Sequence, residues 1–318
     1  MARACRGAPA AAIFGIVVRM LSRRTLLLAP LAAEVAANAT AASGKMSLCI
    51  HQNTSRAAGY RKSLEGWAKA GIKNVELTDV MLEDFLKTED LAAARRVVTD
   101  LGLTPVSCAA VLPDFWIPGP NRATAMNTWK KRCEQFSSFG LTKIYCPAVT
   151  SRKVTTDDYK GAPDCIREGG EAAMQFKMTA MIEFARNSSF ISTLTTSLKL
   201  IRDAGHPNVK PMLDCYHFWS GMSKFEDLDL IHPGELGHVH FQDVPDMPRE
   251  LLDNTTRYIP GDGISPLVRI LRKLSEKGYA GPLSVELFLP EFTQGDPEAV
   301  ARRIREKAEG VMHQAKVI

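Results

Sequence analysis

The sequence predicts one (β/α)8 TIM barrel over residues 46–318, and three observations carry that expectation. Strand-like apolar runs alternate with helix-period stretches eight times, in units of roughly 30 residues, as in a parallel sheet with helical crossovers. The last four strand-like runs end in carboxylates and histidines, where a closed barrel keeps its chemistry. No run opens into a G-x-G-x-x-G turn, so the nearest competing architecture, an open doubly wound sheet, lacks its usual signature.

In chain order the strand candidates are Met46–His51, Lys73–Leu77, Pro105–Ala110, Lys143–Pro147, Thr179–Phe184, Val209–Asp214, His238–Gln242 and Leu283–Leu287. Each is too short for a helix and rich in residues suited to a buried strand. Between them lie helix-period segments, among them Gly59–Lys69, Leu91–Leu101, Thr124–Phe139, Ile191–Asp203, Pro266–Lys277 and Pro297–Met312. Strand–helix–strand units of this kind take right-handed crossovers, and eight of them match closure into a barrel.

The chain has 318 residues, 45% hydrophobic and 24% charged, enough to bury a large core. No internal repeat of solenoid length is present. A net charge of +5 suggests an anionic partner until its source is located. Residues 1–39 hold Arg3, Arg6, Arg19, Arg23 and Arg24 against the single acid Glu34; without them 35 basic and 34 acidic residues remain. A near-neutral body argues against nucleic acid as a partner.

Ser22-Arg23-Arg24-Thr25-Leu26-Leu27-Leu28 reads as a twin-arginine-type export signal, a paired-arginine head before a short apolar core. The core Leu26–Ala37 is short for a bilayer span, so no stable membrane anchor is expected. Ala37-Asn38-Ala39 fits an A-x-A cleavage site, with Ala39-Thr40-Ala41 as a second option. The expectation is a cleaved signal at 1–39, a linker at 40–45 and a periplasmic or otherwise exported barrel. Met20 is an alternative start, and a membrane anchor or plain amphipathic extension is the competing reading.

Seven cysteines form no C-x-x-C pair, which argues against a zinc ribbon or a dithiol redox motif. Cys49, Cys108 and Cys146 fall inside strand candidates, where a thiol behaves as a small hydrophobe. Free core thiols are the expectation.

The fifth strand candidate carries Glu183 near its end, the sixth Asp214, the seventh His238 and His240 on one face, the eighth Glu286. Converging buried acids hold a cation or share protons, because unpaired buried charge is costly. A Glu, Asp, His, Glu set suits one Mn²⁺, Co²⁺ or Mg²⁺ ion, with Zn²⁺ also compatible. The bland alternatives are a salt-bridge role for any single glutamate, a barrel-filling role for one histidine, and a turn cap for Asp243. Coincidence on four successive strands favours the cation. Trp116, in the loop Pro113–Pro118, is a candidate to stack on a sugar face, with aromatic packing as its alternative. Gly261-Asp262-Gly263 reads as a tight strand-to-helix connection rather than a phosphate cradle.

Three blocks make the chain resemble the xylose-isomerase-like barrel superfamily of sugar isomerases and epimerases, and within it the inosose (2-keto-myo-inositol) isomerases. They are Asp214-Cys215-Tyr216-His217-Phe218, the stretch from His240-Phe241-Gln242-Asp243 to Arg257-Tyr258-Ile259-Pro260-Gly261-Asp262-Gly263, and Gly278-Tyr279-Ala280-Gly281-Pro282-Leu283-Ser284-Val285-Glu286-Leu287-Phe288. The resemblance runs from about Met46 to the end and is strongest after Val209. It implies Glu183, Asp214, His240 and Glu286 as metal ligands, Glu183 and Glu286 as catalytic acid and base, and His217 and Arg257 as substrate-binding residues. The implied activity is proton transfer through a metal-stabilised enediolate of a keto-sugar or keto-inositol.

A lyase or dehydratase acting on an oxidised sugar or glycoside begins with the same proton abstraction and is the alternative; a non-catalytic sugar-binding barrel is the third reading. The partner expected is a small carbohydrate or cyclitol, and homo-oligomerisation stays open. The DNA-repair endonuclease branch of the superfamily is excluded on residues. It needs extra metal-binding histidines where this chain has Glu76 and Ala109, and an Asp-x-His where it has Thr255-Thr256-Arg257. Phe184-Ala185-Arg186-Asn187-Ser188-Ser189 departs from the polar stretch expected beside an inositol ring.

Overall fold

The computed structural model describes residues 45–318; the expected export signal, and all but Lys45 of the expected linker, lie outside the described residues. Eight strands close in sequence order: β1 Ser47–His51, β2 Asn74–Thr78, β3 Thr104–Ala109, β4 Lys143–Pro147, β5 Thr179–Glu183, β6 Val209–Asp214, β7 His238–His240 and β8 Pro282–Val285. Every neighbouring pair is parallel, and β8 closes on β1 with Ser47 opposite Pro282 and Ile50 opposite Val285. All eight strand candidates are therefore strands, and each boundary lies within two residues of its expected place.

Period-two alternation decides what each strand sends inward. On β5 to β8 the inward pairs are Met181 and Glu183, Met212 and Asp214, His238 and His240, and Ser284 with Glu286 just past the strand end. The lower residue of each pair belongs to a filled interior layer, where Met181 and Met212 cluster with Ala109 and Tyr145. The upper residues form the floor of the C-terminal mouth. Outward residues such as Ile50, Val75, Ile144, Ile182 and Leu213 pack beneath the helices in one continuous core.

The six named helix-period segments are all helical, within about three residues at each end. Thr156–Met174 is a 19-residue helix that contains Pro163 and the pair Gly169-Gly170. A capping box starts it: Thr155 and Asp158 satisfy each other's backbone N–H groups. The glycines serve close approach. A Cβ on Gly169 would lie 2.7 Å from Trp116 Cζ3, and one on Gly170 2.5 Å from Val209 Cγ2.

That contact corrects the expectation for Trp116. Its indole is buried against Phe115 and Trp129, with ring centroids 4.6 and 5.8 Å away, and Nε1 donates to the Cys146 carbonyl at 3.0 Å. The indole is buried among these rings and its polar atom is spent on the Cys146 carbonyl, so Trp116 does not line the cavity at the mouth of the barrel. Six cysteines, Cys49, Cys108, Cys133, Cys146, Cys165 and Cys215, are free and buried. Among the described residues no helix is long and apolar enough to cross a membrane.

Candidate metal and substrate site

Glu183, Asp214, His240 and Glu286 converge at the mouth, each offering one ligand atom within 4.8 Å of the others. Strand register brings them there, with Asp214 directly opposite His240 and His240 opposite Ser284, two residues below Glu286. His240 Nδ1 lies 3.0 Å from Glu183 Oε1, 3.4 Å from Glu286 Oε2 and 3.5 Å from Asp214 Oδ2. His238, on the same face, sits one layer down with Nε2 3.1 Å from Glu76 Oε2, so it fills the barrel.

Arg257 and His217 flank the cluster. Arg257 comes from the loop after β7, anchored by paired backbone hydrogen bonds between Asp243 and Tyr258. Its Nη1 donates to Asp214 Oδ2 at 3.0 Å and to Glu286 Oε2 at 2.5 Å. Asp214 also caps the short helix Cys215–Ser220, its Oδ1 accepting from the His217 N–H at 2.7 Å, which sets where His217 projects. Arg257 Nη2 lies 3.1 Å from His217 Nε2. A guanidinium only donates, so Nε2 accepts and the neutral ring carries its proton on Nδ1, which has no partner among the described residues.

Sequence reasoning assigned no role in this site to several residues the fold brings here. Asn53, just past β1, donates to Glu286 Oε1 at 3.1 Å, and His51 Nδ1 lies 3.4 Å from the same oxygen. Gln242 donates to Asp214 Oδ2 at 2.6 Å, and Tyr145 shares a 3.0 Å hydrogen bond with His51 Nε2. Glu76 Oε2 lies 3.1 Å from His240 Nε2 and forms a second convergence with His51 and His240. Only the position of Glu76 in the period-two pattern of β2 marks it as inward-facing in the sequence.

Asp243 behaves as a turn cap. Its carboxylate accepts from the N–H groups of Val244, Gly261, Gly263 and Ser265 at 2.9 to 3.1 Å. The Gly261 and Gly263 donors are thus already engaged, in agreement with a tight connection rather than a phosphate cradle.

The electrostatics fit a divalent cation. Three buried carboxylates face one another, and among the described residues Arg257 is the one permanent positive charge in contact with them. Burial, with Asp214 and Glu286 adding to it, lifts Glu183 to about 7 despite His240. Burial pushes Asp214 the same way, but Arg257 and His217 outweigh it and hold that carboxyl well below its usual range. Glu286 is also lowered, because His51, Arg257 and His240 overcome its burial. Burial disfavours charge on His240, yet Glu76, Glu286 and Glu183 raise it well above the ordinary imidazole value. Burial and Arg257 drop His217 to about 4, keeping it neutral. A field that draws a proton onto His240 is answered more strongly by a divalent ion on Nδ1 and the three carboxylates.

Above this floor opens a cavity of about 370 Å³, bordered by the Glu183, Glu286, His217 and Arg257 side chains and by Asn53, Asn187 and Asn254. It suits a small polar ring.

Comparison with known proteins finds relatives of the same barrel fold. An inosose isomerase from Halalkalibacterium halodurans is 26% identical over 271 residues, covering 82% of this chain and 94% of that protein. A solved structure of the IOLI protein with a binding zinc atom superposes with a TM-score of 0.78 at 22% identity, over 85% of this chain and 99% of the other. The D-allulose 3-epimerase from Methylomonas sp., solved with D-allulose, gives 0.67 at 15% identity over 84% and 97%. The xylose isomerase-like TIM barrel family model matches residues 64–309, and the chain belongs to that family.

Proposed function

We propose that the chain is a divalent-metal-dependent isomerase or epimerase of a keto-sugar or keto-inositol. The observation that carries this is the convergence of Glu183, Asp214, His240 and Glu286 on one point beneath a polar, ring-sized cavity, beside His217 and Arg257. The names of the relatives, inosose isomerases and a sugar epimerase, support the same reading. The four residues would hold one ion; the oxygen-rich donor set favours Mn²⁺, Co²⁺ or Mg²⁺, and Zn²⁺ also fits. When bound, the ion supplies Lewis-acid polarisation of a carbonyl and its neighbouring hydroxyl.

The chain's own residues do the rest. Glu183 and Glu286 come from strands three apart around the barrel and approach the reacting carbons from different sides. One takes the proton from the carbon beside the carbonyl, and it or its counterpart returns a proton at the neighbouring position. Asn53 and Arg257 hold the Glu286 carboxylate in place through separate oxygens. The Nδ1–H of His217 and the guanidinium of Arg257 stabilise negative charge developing on substrate oxygen. Export by the twin-arginine-type signal belongs to the same proposal and places the substrate outside the cytoplasm.

The test is solvent exchange. Metal-loaded protein incubated in D₂O with 2-keto-myo-inositol and with a ketohexose should place deuterium on the carbon beside the carbonyl of one of them. Glu286→Gln should lower that rate by roughly 10² to 10⁴, the usual share of a positioned acid or base, with the ion retained. Exchange in neither substrate overturns the isomerase reading. Wild-type exchange in Glu286→Gln moves the proton transfer to Glu183 alone, and loss of a substituent without isomer formation identifies a lyase.

A further inference from the structure

A second cavity opens beside the first. It encloses about 510 Å³ against 370 Å³, and the two have Arg56 and Phe288 in common. Consecutive residues pass from one to the other, with Asn254 bordering the first cavity and Thr255 the second. We propose that the second cavity is a subsite for the second ring of a two-ring substrate, a glycosidically linked sugar or cyclitol whose keto-bearing ring occupies the first cavity. The inference rests on the functional reading above for what the first cavity takes.

Position comes first. A substituent leaving a ring held over Glu183 and Glu286 meets Arg56 and Phe288 at the junction. Phe288 is fixed there, since the Arg257 guanidinium lies 4.8 Å from its ring centroid. The aromatic wall of the second cavity is thereby tied to a residue that contacts the cluster in the first. An aromatic ring offers an apolar face to the C–H groups of a sugar while its polar surroundings bond the hydroxyls.

The chemistry of the lining is the second argument. Thr255 and Thr293, whose hydroxyls donate to Asp253 and to the Leu289 carbonyl, supply acceptors, and Gln294 supplies a neutral donor and acceptor. Arg56 makes no ion pair among the described residues, whereas Asp84 is already paired with Lys87 at 2.6 Å. That set offers hydrogen bonds to several hydroxyls, with the unpaired Arg56 guanidinium as a multiple donor among them. The space is large enough to admit a hexose-sized ring, whereas a free monosaccharide bound in the first cavity leaves it to water.

The experiment compares 2-keto-myo-inositol with its galactosyl conjugate by calorimetric titration of the metal-loaded protein. The conjugate should bind about tenfold more tightly or better. Gln294→Trp, which changes an exposed residue and fills the second cavity, should erase that gain and leave the single ring's affinity unchanged. Arg56→Ala should reduce the gain in the same direction without narrowing the cavity. Equal affinity of the two ligands for the wild type, or a gain that survives both substitutions, overturns the subsite. Deuterium exchange is followed in parallel. Tighter binding of the conjugate without exchange keeps the subsite and removes the isomerase reading; exchange without tighter binding removes the subsite alone.

Discussion

His240 meets carboxylates through both ring nitrogens, Nδ1 at 3.0 Å from Glu183 and Nε2 at 3.1 Å from Glu76. With a cation on Nδ1, the ring's proton must sit on Nε2 and be donated to Glu76, which fixes both tautomer and orientation. Glu76→Gln keeps the volume and removes the charge. It should weaken metal binding by about 10- to 100-fold, the usual cost of losing such a partner, as measured by competition with a chelator. Unchanged affinity would reduce Glu76 to a filler of the barrel interior.

Glu183 and His240 together set a pH dependence. Glu183 is raised to about 7, so below that pH an entering ion must displace its proton, and His240 must also give up any proton on Nδ1. Both effects have one sign: affinity rises with pH through the Glu183 range near 7 and goes on rising for as long as His240 still carries a displaceable proton, by about tenfold per pH unit for each proton displaced. Titrations at several pH values check it, and a pH-independent dissociation constant would contradict the elevated carboxyl.

At the scale of elements, the helix Thr156–Met174 and the loop carrying Trp116 depend on each other. Gly169 leaves room for the indole, and Trp116 in turn bonds the β4 carbonyl of Cys146. Trp116→Ala should cost about 3–5 kcal/mol of stability, the range for removing a buried aromatic, with metal affinity and KM unchanged in the folded fraction. Denaturant unfolding and kinetics read the two separately. A raised KM at wild-type stability would return Trp116 to the substrate wall.

The whole molecule combines a near-neutral barrel with a basic N-terminal stretch and free, buried thiols. Burial raises the thiols of Cys49, Cys108, Cys133, Cys146, Cys165 and Cys215, which keeps them protonated and unreactive. A fold without disulfides among the described residues can be complete before export, which is compatible with the proposed twin-arginine route. Arg23→Lys combined with Arg24→Lys should leave the precursor in the cytoplasm, seen by fractionation and by the size of the uncleaved chain. Normal export of that double variant would remove the twin-arginine reading.

The strands were legible because each is a compact apolar run between helical segments, and that pattern is local. The convergence at the mouth was legible for a related reason: Glu183, Asp214, His240 and Glu286, the candidate ligands, are polar residues at the ends of otherwise apolar strands, where burial without a purpose is costly. Three features depended on tertiary structure. Closure of β8 against β1 brings Asn53 and His51 onto Glu286, although 233 residues separate Asn53 from it. The inward face of β2 places Glu76 behind His240, a relation with no trace in either local sequence. Trp116 is withdrawn from the mouth by Gly169, because whether an aromatic side chain lines a cavity or fills a gap is decided by what packs against it. Local pattern determined the elements and their polar ends; contacts between distant segments decided which of those residues meet.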